Sequence, residues 1–286
     1  MRIGVVGTYG SATEVVALAR DAEDAGWDGF FTWDGISLGG MDTWDPWTLL
    51  GAAATVTSRI TLGALVFVPG RRRPWKLARE VLTVDHLSGG RLVLPVGLGV
   101  LDDGGLSRVS GEVTALRERA ERLDETLAIL DLAASGRTFS FEGRHHRVTD
   151  LVIAPPPVQR PRVPVWPVAG LGSVRSMGRA ARWDGAVLQH VGEERDPTPA
   201  EVADAVAWLR ERRERLADAS DTDVRPEAPF EVVVQGRLPE DATAAQDRLA
   251  ALAEAGATWW VEARWDPVRD TPAALRSLVE QGPPRW

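Results

Sequence analysis

The stretch from Ile60 to Gly99 constrains the fold more than any other part of the chain, because it reads as a strand, a helix and a second strand within 40 residues. Ile60–Val68 and Val93–Leu98 are nearly continuous apolar runs, as expected for strands buried on both faces. Between them, Pro74 suits the first turn of a helix, and the pair Gly89-Gly90 is typical of a helix end. Two parallel strands joined by a helix predict an α/β protein whose chemistry lies at the carboxyl ends of its strands.

The same alternation of strand and helix continues along the rest of the chain. Apolar runs predict eight strands, each followed by a helix, at residues 2–7, 30–33, 60–68, 93–98, 163–169, 186–189, 230–235 and 259–264. Eight such pairs predict a TIM barrel, the (β/α)8 fold, formed by residues 1–286 as a single domain. An open doubly wound sheet is the alternative, and pairing of Val5 near Val261, between the first and last strands, would decide for the barrel.

Residues 136–164 interrupt this alternation between predicted helix four, at about 112–134, and strand five. FSFEGRHHRV predicts a small hairpin around Glu142-Gly143. The proline-rich stretch that follows is predicted to be extended, because proline restricts both its own backbone and that of the preceding residue. We expect this excursion to belong to the barrel domain.

Composition narrows the classes of function. The 33 basic and 41 acidic residues give a net charge of −8, which argues against nucleic acid as a partner, because phosphate backbones bind concentrated basic surfaces. The absence of cysteine excludes disulfides, thiolate catalysis and cysteine-ligated metals, and the four histidines are too scattered to predict a metal site. No run approaches the ~18 apolar residues of a membrane span. We expect a cytoplasmic protein that binds a small molecule and no membrane.

In a barrel the carboxyl ends of all strands meet at one mouth, where a titratable group is needed for proton transfer. Asp34 is the preferred catalytic residue, and Trp33 and His190 complete the predicted catalytic set. Tyr9, Asp102 and Asp103 are further acid–base candidates, the last two from a possible lid at 100–111. Asp34 has an alternative role as a loop carboxylate that accepts backbone N–H groups. Aromatic side chains at the mouth suit a flat ring, although they also serve simply to cap a core.

The turn between predicted strand five and its helix suits a phosphate group, because it offers backbone N–H groups at a helix start, a serine hydroxyl and a nearby cation. The residues that we assign to it are Gly170, Gly172, Ser173, Val174 and Arg175. A rival site, usual in barrels, follows strands seven and eight, where Gln235-Gly236-Arg237 and Arg264 lie. A third interpretation is that the two glycines only form a tight turn. The run Arg71-Arg72-Arg73 is predicted to be a solvated loop or, alternatively, to contact an anionic cofactor tail.

Four stretches, taken in order, resemble one family. They are WDPWTLLGAAATVTSRITLGALV, RPWKLAREVLTVDHLSGGRLVLPVGLG, FEGRHHRV and APPPVQRPRVPVWPVAG, and they are similar to the bacterial luciferase-like flavin- or deazaflavin-dependent oxidoreductases. The resemblance spans nearly the whole chain. It implies a TIM barrel that binds FMN or coenzyme F-420 and carries out two-electron chemistry on a small organic substrate. With FMN and oxygen this would be monooxygenation, and with a deazaflavin it would be hydride transfer. Because family members are often dimers, a homodimer is also implied.

The resemblance also implies roles for particular residues. Gly170, Gly172, Ser173 and Val174 match the family loop that helps to hold the FMN phosphate, whereas Arg175 is our own addition. A non-proline cis peptide bond is implied at Ala64-Leu65, and the residues expected to face the ring from strands three and four are Ala64, Leu65, Val66, Gly97 and Gly99.

The chain departs from its relatives at the catalytic position. Many deazaflavin-dependent members carry a histidine where this chain has Gly35, and the acid that some dehydrogenases carry after strand four falls near Val100. Neither residue transfers protons. The alternatives are therefore a catalytically silent barrel that binds the cofactor, and a barrel that binds a metabolite without any cofactor.

Overall fold

A computed structural model describes residues 1–193, 195–218, 224 and 228–284. Parallel strands alternate with helices along these residues, and an antiparallel hairpin is inserted after the fourth long helix. The elements in order are β1 (Arg2–Val6), α1 (Ala12–Ala25), β2 (Gly29–Thr32), α2 (Pro46–Val56), β3 (Thr61–Ala64), α3 (Pro74–Ser88), β4 (Leu94–Val96), α4 (Leu116–Ala134), β5 (Phe139–Glu142), β6 (Arg147–Leu151), β7 (Val165–Gly170), α5 (Val174–Ala180), β8 (Gly185–Gln189), α6 (Pro199–Asp218), β9 (Glu231–Gly236), α7 (Ala242–Glu254), β10 (Trp259–Glu262) and α8 (Pro272–Gln281). None of the helices in these ranges has the length and apolar character needed to cross a bilayer.

The chain divides into two compact units. Unit 1 consists of Met1–Tyr9, Asp21–Phe31 and Pro164–Trp286, and unit 2 consists of Gly10–Arg20 and Thr32–Val163. The strands of unit 1 pair in parallel in the order β2-β1-β10-β9-β8-β7. The first and last strands are neighbours, with Gly4 opposite Val261 and Val5 opposite Glu262. This pairing confirms the predicted TIM-barrel fold class, because an open doubly wound sheet does not join its first strand to its last.

Aromatic rings fill the core of unit 1 where glycine leaves room for them. Trp259 is fully buried and meets Phe31 edge to face at 6.0 Å between ring centroids, and Trp166 at 5.8 Å. A Cβ added at Gly29 would lie 2.8 Å from both Phe31 and Trp259. Large and small residues therefore alternate across the strands, which is how a barrel interior reaches close packing.

The strand–helix–strand unit predicted from the sequence lies in unit 2. Parallel bridges join β3 to β4 at Leu62–Leu92 and Phe67–Val96. Helix α3 crosses between them and ends at Gly89, whose φ of 66° lies in the left-handed region that glycine adopts readily. The strand at 60–68 is shorter than predicted and ends at Ala64. The cis peptide bond is Leu65-Val66, one residue after the predicted Ala64-Leu65. A sequence does not show peptide isomers, so the resemblance could place this bond only approximately.

The excursion folds as predicted around Glu142-Gly143. Strands β5 and β6 pair antiparallel, and Phe139 and Val148 pack with Ile129 of α4 and Leu82 of α3. The proline-rich stretch that follows has neither helix nor strand. It is tied to α3 through the buried carboxylate of Asp85, which accepts hydrogen bonds from Val158 N (2.6 Å) and Gln159 Nε2 (2.9 Å). Helix α4 begins at Leu116, four residues later than predicted.

Candidate functional site

Asp34 lies two residues after the end of β2, and its side chain is only 1% exposed. The carboxylate accepts hydrogen bonds from Val68 N (2.9 Å) and from Arg72 Nη1 (2.6 Å). Arg71 donates to the carbonyl oxygen of Asp34 and lies 3.3 Å from its Oδ1. These contacts fix the turn after β2 against the segment after β3. The placement favours the loop-carboxylate interpretation of Asp34 over proton transfer.

Arg71 links Asp34 to a second buried carboxylate, that of Asp103, with which it forms an ion pair. Arg72 contacts Asp34 and also Asp45 (3.2 Å) and Glu80 (3.5 Å). The prediction of a solvated arginine run is therefore wrong for Arg71 and Arg72, whose side chains are 6% and 14% exposed. Their carboxylate partners lie far away in sequence, so no local pattern reveals the network.

Burial and ion pairing shift the pKa of these two arginines in opposite directions. Burial lowers the pKa of Arg71, and Asp34 only partly offsets that shift. For Arg72, burial again acts to lower the pKa, but the carboxylates of Asp34, Asp45 and Glu80 outweigh it and the pKa is raised. Carboxylate partners therefore offset the effect of burial more fully for Arg72 than for Arg71.

Asp103 joins the predicted lid at 100–111 to the loop after β2. Its Oδ1 accepts from Gly105 N (2.8 Å), and its carbonyl oxygen accepts from Ser37 N (2.9 Å). A Cβ at Gly105 would lie 2.5 Å from Ile36. The predicted lid at 100–111 is therefore packed against the loop after β2 and anchored at Asp103.

Trp33 explains why residue 35 is glycine. A Cβ at Gly35 would lie 2.2 Å from the Cζ3 atom of the Trp33 ring and 3.3 Å from Leu38 Cδ1. The indole therefore occupies the space into which a side chain at position 35 would project. A histidine at position 35 would therefore require the Trp33 ring to move.

The predicted ring-facing residues of unit 2 lie at the ends of β3 and β4. Ala64 and Leu65 are buried, and Leu65 N donates to Thr32 O (2.9 Å). Gly97 N donates to Phe67 O (2.9 Å), which aligns the two strand ends. At Gly99 φ is 74° and a Cβ would lie 2.8 Å from Val68, so the chain needs glycine there.

A pocket opens beside these strand ends. It is lined by Gly97, Leu98, Leu106 and Arg119 among others, and its volume, open mouth included, is about 320 Å3. Arg119 lies in the first turn of α4 and its Nη1 donates to Leu98 O (3.1 Å) and Gly99 O (2.8 Å). Most of that volume is open space at the mouth, so the enclosed part is far smaller than a typical ligand pocket.

The predicted phosphate turn of unit 1 is exposed and partly organised. Ser173 caps α5, since its Oγ accepts from Ser176 N, and Ser176 Oγ in turn accepts from Gly170 N (3.0 Å). The backbone N–H groups of Gly172, Val174 and Arg175 donate to no acceptor within the described ranges. Helix α5 has only seven residues, so these N–H groups, more than a helix dipole, suit the turn to an anion.

The cations of the rival phosphate site are already paired. Arg237 forms an ion pair with the buried Asp270 (2.8 Å), and Arg264 forms one with the buried Glu262 (2.8 Å). Burial raises the pKa of Glu262 even though Arg264 opposes that shift. Both guanidinium groups are thus less available to a ligand than the turn at 170–175.

His190 and Tyr9, two predicted acid–base candidates, are both in unit 1. The His190 side chain is 8% exposed, and its Nε2 lies 3.3 Å from Glu201 Oε2. Hydrogen bonds from Arg195, and then from Thr198, lower the pKa of Glu201. Burial, followed by Asp270 and Asp266, raises the pKa of the Tyr9 hydroxyl, which has no partner among the described residues.

Comparisons with known proteins show the family and the fold of this chain. A family model described as luciferase-like monooxygenase matches residues 2–278. The chain belongs to the luciferase-like monooxygenase family. An uncharacterized protein of Mycobacterium tuberculosis is 51% identical over 59 residues, a match that covers 21% of this chain and 21% of that protein.

Two solved structures show the same fold as this luciferase-like chain. The coenzyme F420-dependent tetrahydromethanopterin reductase of Methanopyrus kandleri superposes with a TM-score of 0.73 at 16% identity, covering 98% of each chain. The oxygenating constituent of 3,6-diketocamphane monooxygenase from Pseudomonas putida, in complex with FMN, superposes with a TM-score of 0.71 at 14% identity, covering 98% of this chain and 96% of the other. Among its structural neighbours are thus both F420- and FMN-dependent enzymes.

Sequence reasoning about this luciferase-like chain missed two features of the site. It did not find the Arg71 network, because the paired residues are separated in sequence. It also did not find Arg119, which sits in RERAERLDE and looks like one of several solvated helix charges. Within the described part of the chain, no group of histidine, aspartate and glutamate side chains is arranged to hold a metal ion.

Proposed function

We propose that the chain is an oxidoreductase that binds a flavin-type cofactor, FMN or coenzyme F-420, and acts on a small organic substrate. The observation that carries this proposal is the exposed turn at 170–175, where three backbone N–H groups have no acceptor among the described residues. Both cofactors carry a phosphate group, which such a turn binds well. Membership of the luciferase-like family supports the same conclusion.

The residues of the chain would bind and orient the cofactor and shield it from water. The N–H groups of Gly172, Val174 and Arg175 would donate to the phosphate, with Ser173 holding the turn in shape. The family resemblance separately assigns Ala64, Leu65, Val66, Gly97 and Gly99 of unit 2 to contact with a flavin-type ring. The cofactor, when bound, supplies the two-electron redox chemistry.

His190 would be the acid–base residue in any step that requires proton transfer. Its imidazole contacts the carboxylate of Glu201, which holds the ring in one orientation. Asp34 serves instead as a positioning residue, because its oxygens are occupied by Arg71, Arg72 and Val68 N.

Titration of the purified protein with FMN, reduced FMN and coenzyme F-420, followed by fluorescence, tests the proposal. We expect saturable binding of at least one of them, and stoichiometric reduction or oxidation of the bound cofactor in the presence of substrate. Binding of none of the three would overturn the oxidoreductase proposal.

A second candidate function is a barrel that binds the cofactor without turning over a substrate. The engagement of Asp34 by two arginines favours it, since this removes one predicted proton carrier from the strand ends. Cofactor binding with no redox change across a panel of alcohols, ketones and aldehydes would favour this second function.

A further inference from the structure

The lid at 100–111 is held to unit 2 at one short stretch. Residues 103–106 are buried, and the lid residues on both sides of them are exposed. The exposed residues include apolar side chains, since Val100 is 58% and Val109 is 50% exposed. The lid contains neither helix nor strand. Most of its surface therefore contributes nothing to holding it in place.

The contacts of the buried stretch are few. Asp103 forms the ion pair with Arg71, and its carbonyl oxygen accepts from Ser37 N (2.9 Å). Leu106, 3% exposed, is the large apolar side chain that the lid buries. A hydrogen bond within the lid, from Arg108 N to Gly104 O (3.1 Å), supports its own shape. A segment with so small an attachment opens locally without unfolding of the whole unit.

Glycines with positive φ flank the lid. The φ angles are 74° at Gly99 and 88° at Gly111. A Cβ at Gly111 would meet nothing within 4 Å, so glycine serves the backbone conformation there and not close packing. Arg119 holds the carbonyl oxygens of Leu98 (3.1 Å) and Gly99 (2.8 Å), which fixes the strand end before the first glycine. Rotation at these two glycines would move residues 100–111 as one piece.

The charge of Arg71 permits this movement. Its guanidinium lies between two carboxylates, that of Asp103 in the lid and that of Asp34 outside it. When the lid leaves, Asp103 becomes hydrated and Arg71 keeps Asp34 as its partner. A buried cation that lost its last carboxylate would oppose opening strongly, and here that cost does not arise.

The space beneath the lid is too small for a ligand while the lid is closed. Leu106 covers Gly97 and Leu98 at the end of β4, and the enclosed space is about 20 Å3, enough for one water molecule. We propose that the lid opens about Gly99 and Gly111, with the Arg71–Asp103 ion pair as its latch, and so controls access to the end of β4. Opening itself needs no cofactor, whereas control of cofactor or substrate entry rests on the proposed function.

A disulfide tests the opening directly. A Cβ at Gly104 would lie 3.5 Å from Ser37 Cβ, a separation that a disulfide spans, and the natural chain has no cysteine. Oxidation of Ser37→Cys/Gly104→Cys should slow hydrogen exchange, measured by NMR, at least about tenfold in both 100–103 and 107–111, and leave β4 unchanged. The reduced form of the same variant is the matched control, because it has the same strain at residue 104.

The unmodified chain provides a second measurement, which decides the matter even if the double variant does not fold. Exchange in the lid should be nearly independent of urea below the unfolding transition, because local opening exposes little surface. Exchange at Val93 N, bonded to Leu62 O (2.9 Å), should rise steeply with urea. Equal urea dependence at the two places would overturn the proposal, and so would a disulfide that slows only the neighbours of residue 104.

The entry role is measured with the cofactor that binds, FMN or coenzyme F-420. Its association rate, followed by fluorescence, should be at least about tenfold lower for the oxidised than for the reduced double variant, since entry follows opening. Equal rates would overturn the entry role. Binding of neither cofactor to the unmodified chain would overturn the proposed function, and the exchange results would still decide whether the lid opens.

Discussion

The network around Arg71 in unit 2 and the turn at 170–175 in unit 1 both follow parallel strands, yet they treat polar groups in opposite ways. In the network, Asp34 and Asp103 are 1% and 2% exposed and both contact Arg71. In the turn, Gly172 and Arg175 are exposed, and three backbone N–H groups have no acceptor in the described part of the chain. The charged groups of the network are paired by side chains of the protein, whereas the N–H groups of the turn remain available to a ligand.

Burial explains the difference. A buried charge without a partner is costly, so the network must pair its carboxylates and guanidinium groups within the protein. An exposed N–H group is hydrated, so its lack of a protein partner costs little, and an anion can displace the water. We therefore expect changes in the network to affect stability, and changes in the turn to affect binding.

The largest expected effect is that of Arg71→Met. It leaves Asp34 and Asp103 buried with too few partners, and should lower the free energy of unfolding by about 3–5 kcal/mol, measured by urea denaturation. Arg73→Met is the matched control, because Arg73 is the exposed member of the same run. A similar small loss in both variants would show that the network does not contribute to stability.

Asp103→Asn should have a smaller effect, about 1–3 kcal/mol, because the amide still accepts one hydrogen bond but no longer balances the charge of Arg71. Hydrogen exchange should rise in residues 100–111, which Asp103 anchors. The neighbouring Asp102 is exposed, so Asp102→Asn should leave both quantities unchanged. Equal exchange in the two variants would contradict the anchoring role.

Gly172→Val tests the turn. Here φ is 78°, a region that valine rarely adopts, so the variant should lose stability as well as distort the donors. Gly26→Val is the matched control, since φ at Gly26 is 90° and an added Cβ also meets nothing within 4 Å. We expect similar losses of melting temperature in both, but cofactor binding weakened at least about tenfold, or about 1.4 kcal/mol, only in Gly172→Val.

Variants at the rival phosphate site test whether the cofactor phosphate binds there instead of at the turn. Gln235→Ala and Arg237→Ala should weaken cofactor binding much less than Gly172→Val, since Arg237 is held by Asp270. Loss of binding in this pair, with binding intact in Gly172→Val, would move the phosphate to the carboxyl ends of β9 and β10.

The smallest effect concerns an ion cluster at the surface, between α4 and the hairpin. Hydrogen bonds from His145 and then Arg117, with the charge of Arg144, lower the pKa of Glu121 from 4.5 to about 2. A lowered folded-state pKa stabilises the protein above the unfolded value, so this contribution is complete above pH 4.5 and is lost as the pH falls toward 2. Hydrogen exchange of residues 139–151 should rise over that range, less so in high salt.

Glu121→Gln should remove most of this pH dependence while leaving exchange at neutral pH nearly unchanged, because the group is partly exposed and solvent screens it. Glu142→Gln, on the same hairpin but outside the cluster, is the control. The same acid profile in both variants would show that Glu121 does not tie the hairpin to α4.

The sequence by itself determined the alternation of strands and helices, the hairpin around Glu142-Gly143 and the barrel class. These follow from local patterns, because apolar periodicity, helix caps and positive-φ glycines act over a few residues. Strand ends were placed within one or two residues in most cases, but the strand at 60–68 was overestimated, since the irregular backbone after Ala64 has the same apolar composition as the strand.

Only the tertiary structure decided which charges are paired. Arg71 and Arg119 are both arginines within charged stretches, yet among the described residues Arg71 contacts two buried carboxylates and Arg119 contacts only carbonyl oxygens. Likewise, the clash of a side chain at Gly35 with Trp33 depends on the path of the turn. Pairing, burial and steric exclusion depend on distances between residues separated along the chain, and those distances exist only once the strands have assembled.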